Sequence, residues 1–229
     1  KMIEDVTAYF KKTVLVLNIG GTIDCGFFKD NDKISAVLLT WQSGQEGGLA
    51  IADIICGDEN PSGKLADTLV SSFDDYPSSY NFNESEDFVN YTDDIYVGYR
   101  YFETIPDKAQ RVCYPFGFGL SYTTFELSDI KAVKDGDSIK ISLTVKNTGT
   151  VAGKEVIQIY SSAPQGRLGK PAKELKAFKK TELLNPNESK EYSLSFKISE
   201  LASFDDLGKI QKSAFVLEKG EYGFFVGTS

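Results

Sequence analysis

The stretch that decides the fold of this chain is Ile139-Lys140-Ile141-Ser142-Leu143-Thr144-Val145-Lys146. Apolar and polar residues alternate along it with a period of two. Because successive side chains of a β-strand point to opposite faces, this pattern predicts a strand that buries one face and exposes the other. The same alternation returns in Tyr192, Leu194, Phe196 and Ile198, so we expect at least two such strands in one core.

Turn-forming sequences divide the chain around this stretch into short segments. They are Asp135-Gly136-Asp137, Asn147-Thr148-Gly149, Asn185-Pro186-Asn187 and Lys219-Gly220-Glu221. About seven short strands over residues 125–229, separated by such turns, are typical of an immunoglobulin-like β-sandwich.

The first 70 residues have a different pattern. Apolar residues from Met2 to Phe10 recur at helical spacing, and two continuous apolar runs follow, Val14 to Leu17 and Ile34 to Leu39. Such runs are typical of parallel strands buried on both faces. A second apolar helix follows residues 44–48 and ends at Gly57, as a helix ends at a C-terminal glycine. We therefore predict an α/β layer over residues 1–70, a partial one whose remaining strands must come from elsewhere.

Residues 71–124 are predicted to form a linker with local strands. This segment is rich in Tyr, Asp, Asn and Ser, and the run Ile95 to Phe102 is expected to be extended. The predicted fold class is therefore a partial α/β domain, a linker, and an all-β sandwich at residues 125–229.

Charge and composition exclude several function classes. The chain has 229 residues and a net charge of -8, which disfavours nucleic acid and anionic membranes as partners. It contains no histidine, so it cannot host a Ser-His-Asp triad or a histidine-ligated metal. No metal or other cofactor is expected. The first ten residues are too polar for a signal peptide, which favours the cytoplasm over secretion but leaves the compartment open.

Several motifs have both a functional and a structural interpretation. The three cysteines, Cys25, Cys56 and Cys113, match no zinc or disulfide spacing and are expected to be buried free thiols. Gly20-Gly21 is interpreted as a tight turn in preference to a phosphate loop. Glu46 is expected to cap the helix that follows it, since a carboxylate is favourable at a helix N-terminus.

The acidic stretches and the one basic run of the sequence are both expected to be solvated. The acidic stretches at residues 74–75, 84–87 and 93–94 hold enough carboxylates for an acid/base pair, but adjacent acids on a polar loop usually face water. The lysines from Lys170 to Lys180 are interpreted as a solvated strand face.

Seven blocks of the sequence, in order, resemble family 3 glycoside hydrolases of the β-glucosidase kind. They are residues 14–24 (VLVLNIGGTID), 41–48 (WQSGQEGG), 57–65 (GDENPSGKL), 95–102 (IYVGYRYF), 114–125 (YPFGFGLSYTTF), 145–160 (VKNTGTVAGKEVIQIY) and 171–178 (PAKELKAF). The resemblance covers essentially the whole chain and implies a fibronectin type III-like identity for the sandwich. Thr22, Ser43 and Phe118 depart from common residues of the family. The form of residues 114–125 resembles a bacterial subgroup.

The resemblance also implies a mechanism for the parent enzyme. It is a retaining hydrolysis of terminal β-linked sugars by an Asp nucleophile on a (β/α)8 barrel and a Glu acid/base. Neither residue maps onto this chain, so we assign it no catalytic residue and expect it to be inactive alone. Its partners would be a β-glucoside or oligosaccharide substrate and the missing barrel. Trp41, Gln45 and Glu46, at the end of a predicted parallel strand, are the candidates for one rim of the sugar pocket.

A competing hypothesis is a non-hydrolytic binding module. In it the β-sandwich recognises a polysaccharide or another protein, and the tyrosines from Tyr76 to Tyr101 stack on sugar rings. A nucleotide-binding flavodoxin-like domain is disfavoured by the missing phosphate loop.

Overall fold

A computed structural model describes residues 2–229. The helices are α1 (Met2–Tyr9), α2 (Gly47–Cys56) and α3 (Tyr99–Thr104), with single 3-10 turns at Phe73–Asp75, Ala109–Arg111 and Ile198–Leu201. The strands of the first half are β1 (Val14–Leu17), β2 (Ala36–Leu39), β3 (Leu69–Val70) and β4 (Val112–Tyr114). Those of the second half are β5 (Phe125–Asp135), β6 (Ser138–Asn147), β7 (Val156–Ser162), β8 (Glu174–Lys180), β9 (Ser189–Lys197), β10 (Ser203–Asp205), β11 (Ala214–Val216) and β12 (Gly223–Gly227).

The N-terminal part is the predicted partial α/β layer. β1 and β2 pair in parallel, with Val14 opposite Ala36 and Leu17 opposite Leu39. Helices α1 and α2 flank them in sequence, and α2 ends at Gly57, whose φ of 86° is left-handed. Glycine suits that position because it has no Cβ to clash there. The helix–strand–strand–helix order predicted from the apolar runs is confirmed.

The parallel pair is only partly covered by the rest of the described chain. Leu17 is buried, whereas Val14, Val16 and Val37 are 40%, 37% and 37% exposed. Within residues 2–229, β1 and β2 have no other strand beside them. Apolar runs of the kind found in doubly covered parallel strands are therefore left half exposed.

The segment after α2 contains the main correction to the sequence analysis. β3 and β4 form a short antiparallel pair, as local strands were predicted, but the run Ile95 to Phe102 is not extended. Gly98 has a φ of 57° and precedes α3, in which Phe102 is 1% exposed. The aromatic residues favoured a strand by propensity, but the positive φ of Gly98 interrupts an extended run and packing of Phe102 stabilises the helix.

The C-terminal part is a β-sandwich, as predicted. One sheet has the order β5-β6-β9 and the other β12-β7-β8, with all neighbours antiparallel. Its core comes from both sheets and includes Ile141, Leu143, Val145, Ile157, Ile159, Leu184, Tyr192, Leu194 and Phe196. The period-two alternation thus identifies the buried face of β6 and β9, although Ile198 begins a 3-10 turn. The domain boundaries at residues 70 and 124 remain predictions.

Two expectations about single residue types were partly wrong. All three cysteines are free, but only Cys25 is buried, while Cys56 is exposed and Cys113 half-buried. Lys170 does not belong to a solvated strand face, since it precedes β8, is buried, and pairs with Glu218. Among the described residues, none of the helices has the length and apolar character that a membrane crossing requires.

A candidate site at the carboxyl edge of the parallel strands

The loops after β1 and β2 leave the sheet at the same edge because the two strands are parallel. Residues 18–24 form the first loop and residues 41–46 the second. They touch: a Cβ atom added to Gly20 would lie 2.8 Å from Nε2 of Gln42. Gly20 and Gly21 lie in a bend after β1, in agreement with the interpretation of this pair as a tight turn. This edge is where ligands bind in open α/β sheets.

Trp41 begins the second loop in an unusual backbone conformation. Its φ of 51° lies in the left-handed region, which is rare for a bulky side chain. The preceding residue fixes the chain there, because both the backbone N–H and the Oγ1 of Thr40 donate to the carbonyl of Leu17, at 3.0 and 3.1 Å. Trp41 is half-buried, so part of its side chain is exposed to solvent.

Gln45 and Glu46 are exposed at the start of α2. Glu46 occupies the N-cap position, but its side chain makes no capping hydrogen bond. The prediction that the Glu46 side chain caps α2 is therefore wrong. Within residues 2–229, neither side chain has a hydrogen bond or ion pair. The structure therefore places the three predicted rim residues in one loop, with two polar groups free.

One glycine at the end of this loop, Gly47, is explained by packing. A Cβ atom on Gly47 would lie 2.2 Å from Cβ of Ser43, so the tight turn into α2 excludes any other residue. Gly44 accepts the N–H of Gly47 at 3.0 Å. The turn accounts for Gly47 without a bound phosphate.

Two of the acidic stretches have structural partners. Asp75 accepts the N–H of Ser72 at 3.2 Å and completes a capping box, and Glu84 accepts both the N–H and the amide Nδ2 of Asn90, at 2.9 and 2.6 Å. Asp93 differs, since its Oδ1 is buried without a hydrogen-bond partner in the described chain. The structure places no group of three or more potential metal ligands among residues 2–229.

A junction between the α/β part and the sandwich was not identified from the sequence. Asn60 donates to the carbonyl of Ala152 at 3.0 Å, and its Oδ1 accepts from Ser121 Oγ and from the N–H of Tyr122, at 2.9 and 2.8 Å. Lys64 pairs with Glu155 at 2.9 Å, with both side chains largely buried. The turn sequence at residues 60–63 was visible, but its partners lie about sixty to ninety positions away and leave no local pattern.

The thiol of Cys25 belongs to the small core beneath this edge. Burial, together with a smaller contribution from the neighbouring Cys113 thiol, raises its pKa to about 12. Cys25 is therefore a protonated core residue at neutral pH, and not a nucleophile.

Comparison with known proteins decides the family. The model of the glycosyl hydrolase family 3 C-terminal domain matches residues 1–122, just over half of the chain. This chain belongs to glycoside hydrolase family 3. A fibronectin type III-like domain model matches residues 155–229, which agrees with the sandwich.

Family 3 relatives match the chain along its whole length. β-Glucosidase A of Butyrivibrio fibrisolvens is 52% identical over 244 residues, covering 100% of this chain and 29% of the relative. A β-glucosidase of Ruminococcus albus is 44% identical, covering 96% and 23%. The chain thus spans less than a third of the length of these family 3 relatives.

Solved family 3 structures have the same fold. A β-glucosidase from Paenibacillus barengoltzii superposes with a TM-score of 0.92 at 45% identity, covering 100% of this chain and 25% of that one. β-Glucosidase 3B from Thermotoga neapolitana, solved in complex with glucose, gives a TM-score of 0.90 at 43% identity, covering 100% and 31%.

Proposed function

We propose that this chain is the non-catalytic scaffold of a retaining β-glucosidase that removes terminal β-linked sugars. The observation that carries the proposal is the match of the whole chain to β-glucosidases that are three to four times longer. The two reacting carboxylates, an Asp nucleophile and a Glu acid/base, would lie in the part of the enzyme outside this chain. A β-glucoside and a (β/α)8 barrel are its proposed partners.

The half-exposed parallel strands support this arrangement. Val14, Val16 and Val37 have the composition of strands that are covered on both faces, but the described chain covers only part of them. Further strands and helices of the intact enzyme would complete the layer and place its carboxyl edge against the barrel.

We assign Trp41, Gln45 and Glu46 to one rim of the sugar pocket. They share the edge at which α/β ligand sites form, and the amide and carboxylate are free to accept or donate hydrogen bonds to sugar hydroxyls. The half-buried ring of Trp41 offers an apolar face for the C–H surface of a sugar.

The first test is catalytic. The purified chain is expected to release no p-nitrophenol from p-nitrophenyl β-glucoside, whereas a chimera in which it replaces the matching region of the B. fibrisolvens enzyme is expected to be active. Turnover by the chain alone, after an inactive preparation from the same host has served as control, would show that it holds its own catalytic groups.

The second test concerns the rim. In the chimera, Trp41→Ala is expected to lower kcat/KM about tenfold, equivalent to about 1.4 kcal/mol of transition-state contact. Lys33→Ala, at an exposed residue that precedes β2 and therefore lies at the opposite edge of the strand pair, serves as the control. Equal kcat/KM values for both variants and the parent chimera would remove Trp41 from the pocket.

A further inference from the structure

A cleft separate from the sheet edge lies between β3, α3 and β4. Its volume is about 280 Å3, close to the lower end of the range of roughly 300 to 1,000 Å3 typical of small-molecule sites. Phe102, Val112 and Pro115 give it apolar walls, and Thr68, Tyr99 and Glu103 give it polar groups. No motif in the sequence pointed to it, because its lining comes from segments about thirty to fifty residues apart.

Thr68 is the unusual residue in this lining. It is 3% exposed, and its Oγ1 is buried with no hydrogen-bond partner anywhere in residues 2–229. Its backbone carbonyl, by contrast, accepts the hydroxyl of Tyr76 at 2.8 Å. An unpaired buried hydroxyl is destabilising. A polar group of a molecule bound in the cleft would therefore supply the hydrogen bond that Thr68 Oγ1 lacks.

The remaining polar groups restrict the chemistry of that occupant. Glu103 is the one charged residue in the described lining, and Lys173 neutralises it at 3.2 Å. A carboxylate without a lining cation disfavours phosphates and other anions, and its existing ion pair removes the need for a ligand cation. The hydroxyl of Tyr99 accepts the N–H of Leu175 at 2.8 Å, so its own proton is free to donate.

We propose that this cleft binds a neutral, hydroxylated ligand of monosaccharide size. Its hydroxyls would pair with Thr68 Oγ1, the Tyr99 hydroxyl and the Glu103 carboxylate, while its C–H face packs on Phe102, Val112 and Pro115. The choice of a monosaccharide over other neutral polyols rests on the proposed function, since a β-glucosidase releases one.

Titration of the 15N-labelled chain with D-glucose, followed by NMR, tests the site. We expect saturable shifts of backbone amides in α3 and β4, and Thr68→Val is expected to raise the dissociation constant about tenfold through loss of one hydrogen bond. Thr13→Val is the matched control, because Thr13 Oγ1 is also buried and unpartnered but is absent from the cleft lining. It should leave glucose binding unchanged.

Three results would overturn the proposal. Absence of saturable shifts would show that the cleft holds only water. Binding that Thr68→Val leaves unchanged would place glucose elsewhere, and glycerol binding as tightly as glucose would contradict a site of monosaccharide size. The two proposals can fail separately. If the chain binds glucose but the chimera is inactive, the proposed function is contradicted and the glucose site in the cleft is not.

Discussion

At the scale of single residues, the most completely satisfied buried charge is Asp205 at the end of β10. Its Oδ1 accepts the N–H groups of Gly208 and Lys209, at 2.8 and 2.9 Å, and its Oδ2 those of Ile210 and Gln211, at 2.6 and 2.8 Å. Burial by itself raises the pKa of Asp205, but the four N–H donors outweigh it and hold the pKa below its usual value. The ionised carboxylate therefore organises the loop between β10 and β11.

This arrangement predicts a specific acid sensitivity. A carboxyl group whose pKa is lowered on folding stabilises the native state above its ordinary pKa, near 3.8, and that contribution is lost as the pH falls through the folded value. Asp205→Asn is expected to lower the melting temperature at pH 7 and to flatten its decline below about pH 4. Melting curves by circular dichroism from pH 3 to 7 measure both. Asp206→Asn, at an exposed neighbouring position, is the control, and parallel curves for the two variants would contradict the assignment.

Gly57 supports a second prediction at this scale. Gly57 has a left-handed φ of 86°, at which a Cβ atom is disfavoured. Gly57→Ala is therefore expected to lower the free energy of unfolding by about 1 kcal/mol. Gly63→Ala is the matched control, because a Cβ atom at either position meets nothing within 4 Å and Gly63 has no left-handed φ. Urea unfolding compares the two variants. Equal urea midpoints for Gly57→Ala and Gly63→Ala would contradict a stabilising role for the left-handed conformation at position 57.

At the scale of elements, the junction makes the α/β part and the sandwich energetically dependent on each other. Asn60 has one hydrogen bond to Ala152 of the sandwich and two to Ser121 and Tyr122, just before its first strand. Asn60→Ala is expected to lower the unfolding free energy by about 2 kcal/mol. Asn83→Ala, at an exposed asparagine, serves as control, and hydrogen exchange should show the loss on both sides of the junction. A loss confined to residues near position 60 would argue against coupling.

Elements with a strong local period were predictable from the sequence, and those decided by distant partners were not. Ile141, Leu143 and Val145 lie on the buried face of β6 because alternate side chains of a strand point to the same face, so a period of two in the sequence marks the face that is buried. Helix α3 was missed because Gly98 and the burial of Phe102 override strand propensity. The position of Trp41, Gln45 and Glu46 in the loop after β2 was predictable from the order of strand and helix, and their role at a sugar pocket stays a prediction. The cleft at Thr68 was not, because its lining is assembled by the pairing of β3 with β4.

At the scale of the whole molecule, part of the exposed apolar surface lies on the parallel strands and helix α2 of the α/β part. Val14, Val16, Leu49 and Ile55 are 40%, 37%, 61% and 48% exposed. The chain alone is therefore expected to bind the dye ANS, and the double variant Val14→Thr/Val16→Thr to bind less. Val133→Thr, on an exposed strand of the sandwich, is the control. If ANS fluorescence is the same for the double variant, the control and the parent chain, the parallel strands are not the surface that binds the dye.

The pairing of β3 with β4 also has an evolutionary consequence. Residues 71 and 111 are joined by a hydrogen bond of 3.2 Å from the N–H of Ser71 to the carbonyl of Arg111, so the chain between them, residues 72–110, leaves and returns at one point. The entropy of closing such an excursion rises only slowly with its length. Insertions and deletions around its exposed Tyr91, away from the residues of α3 that contact the sandwich, should therefore be tolerated. A reporter peptide placed at Tyr91 would be accepted where one in β6 would not.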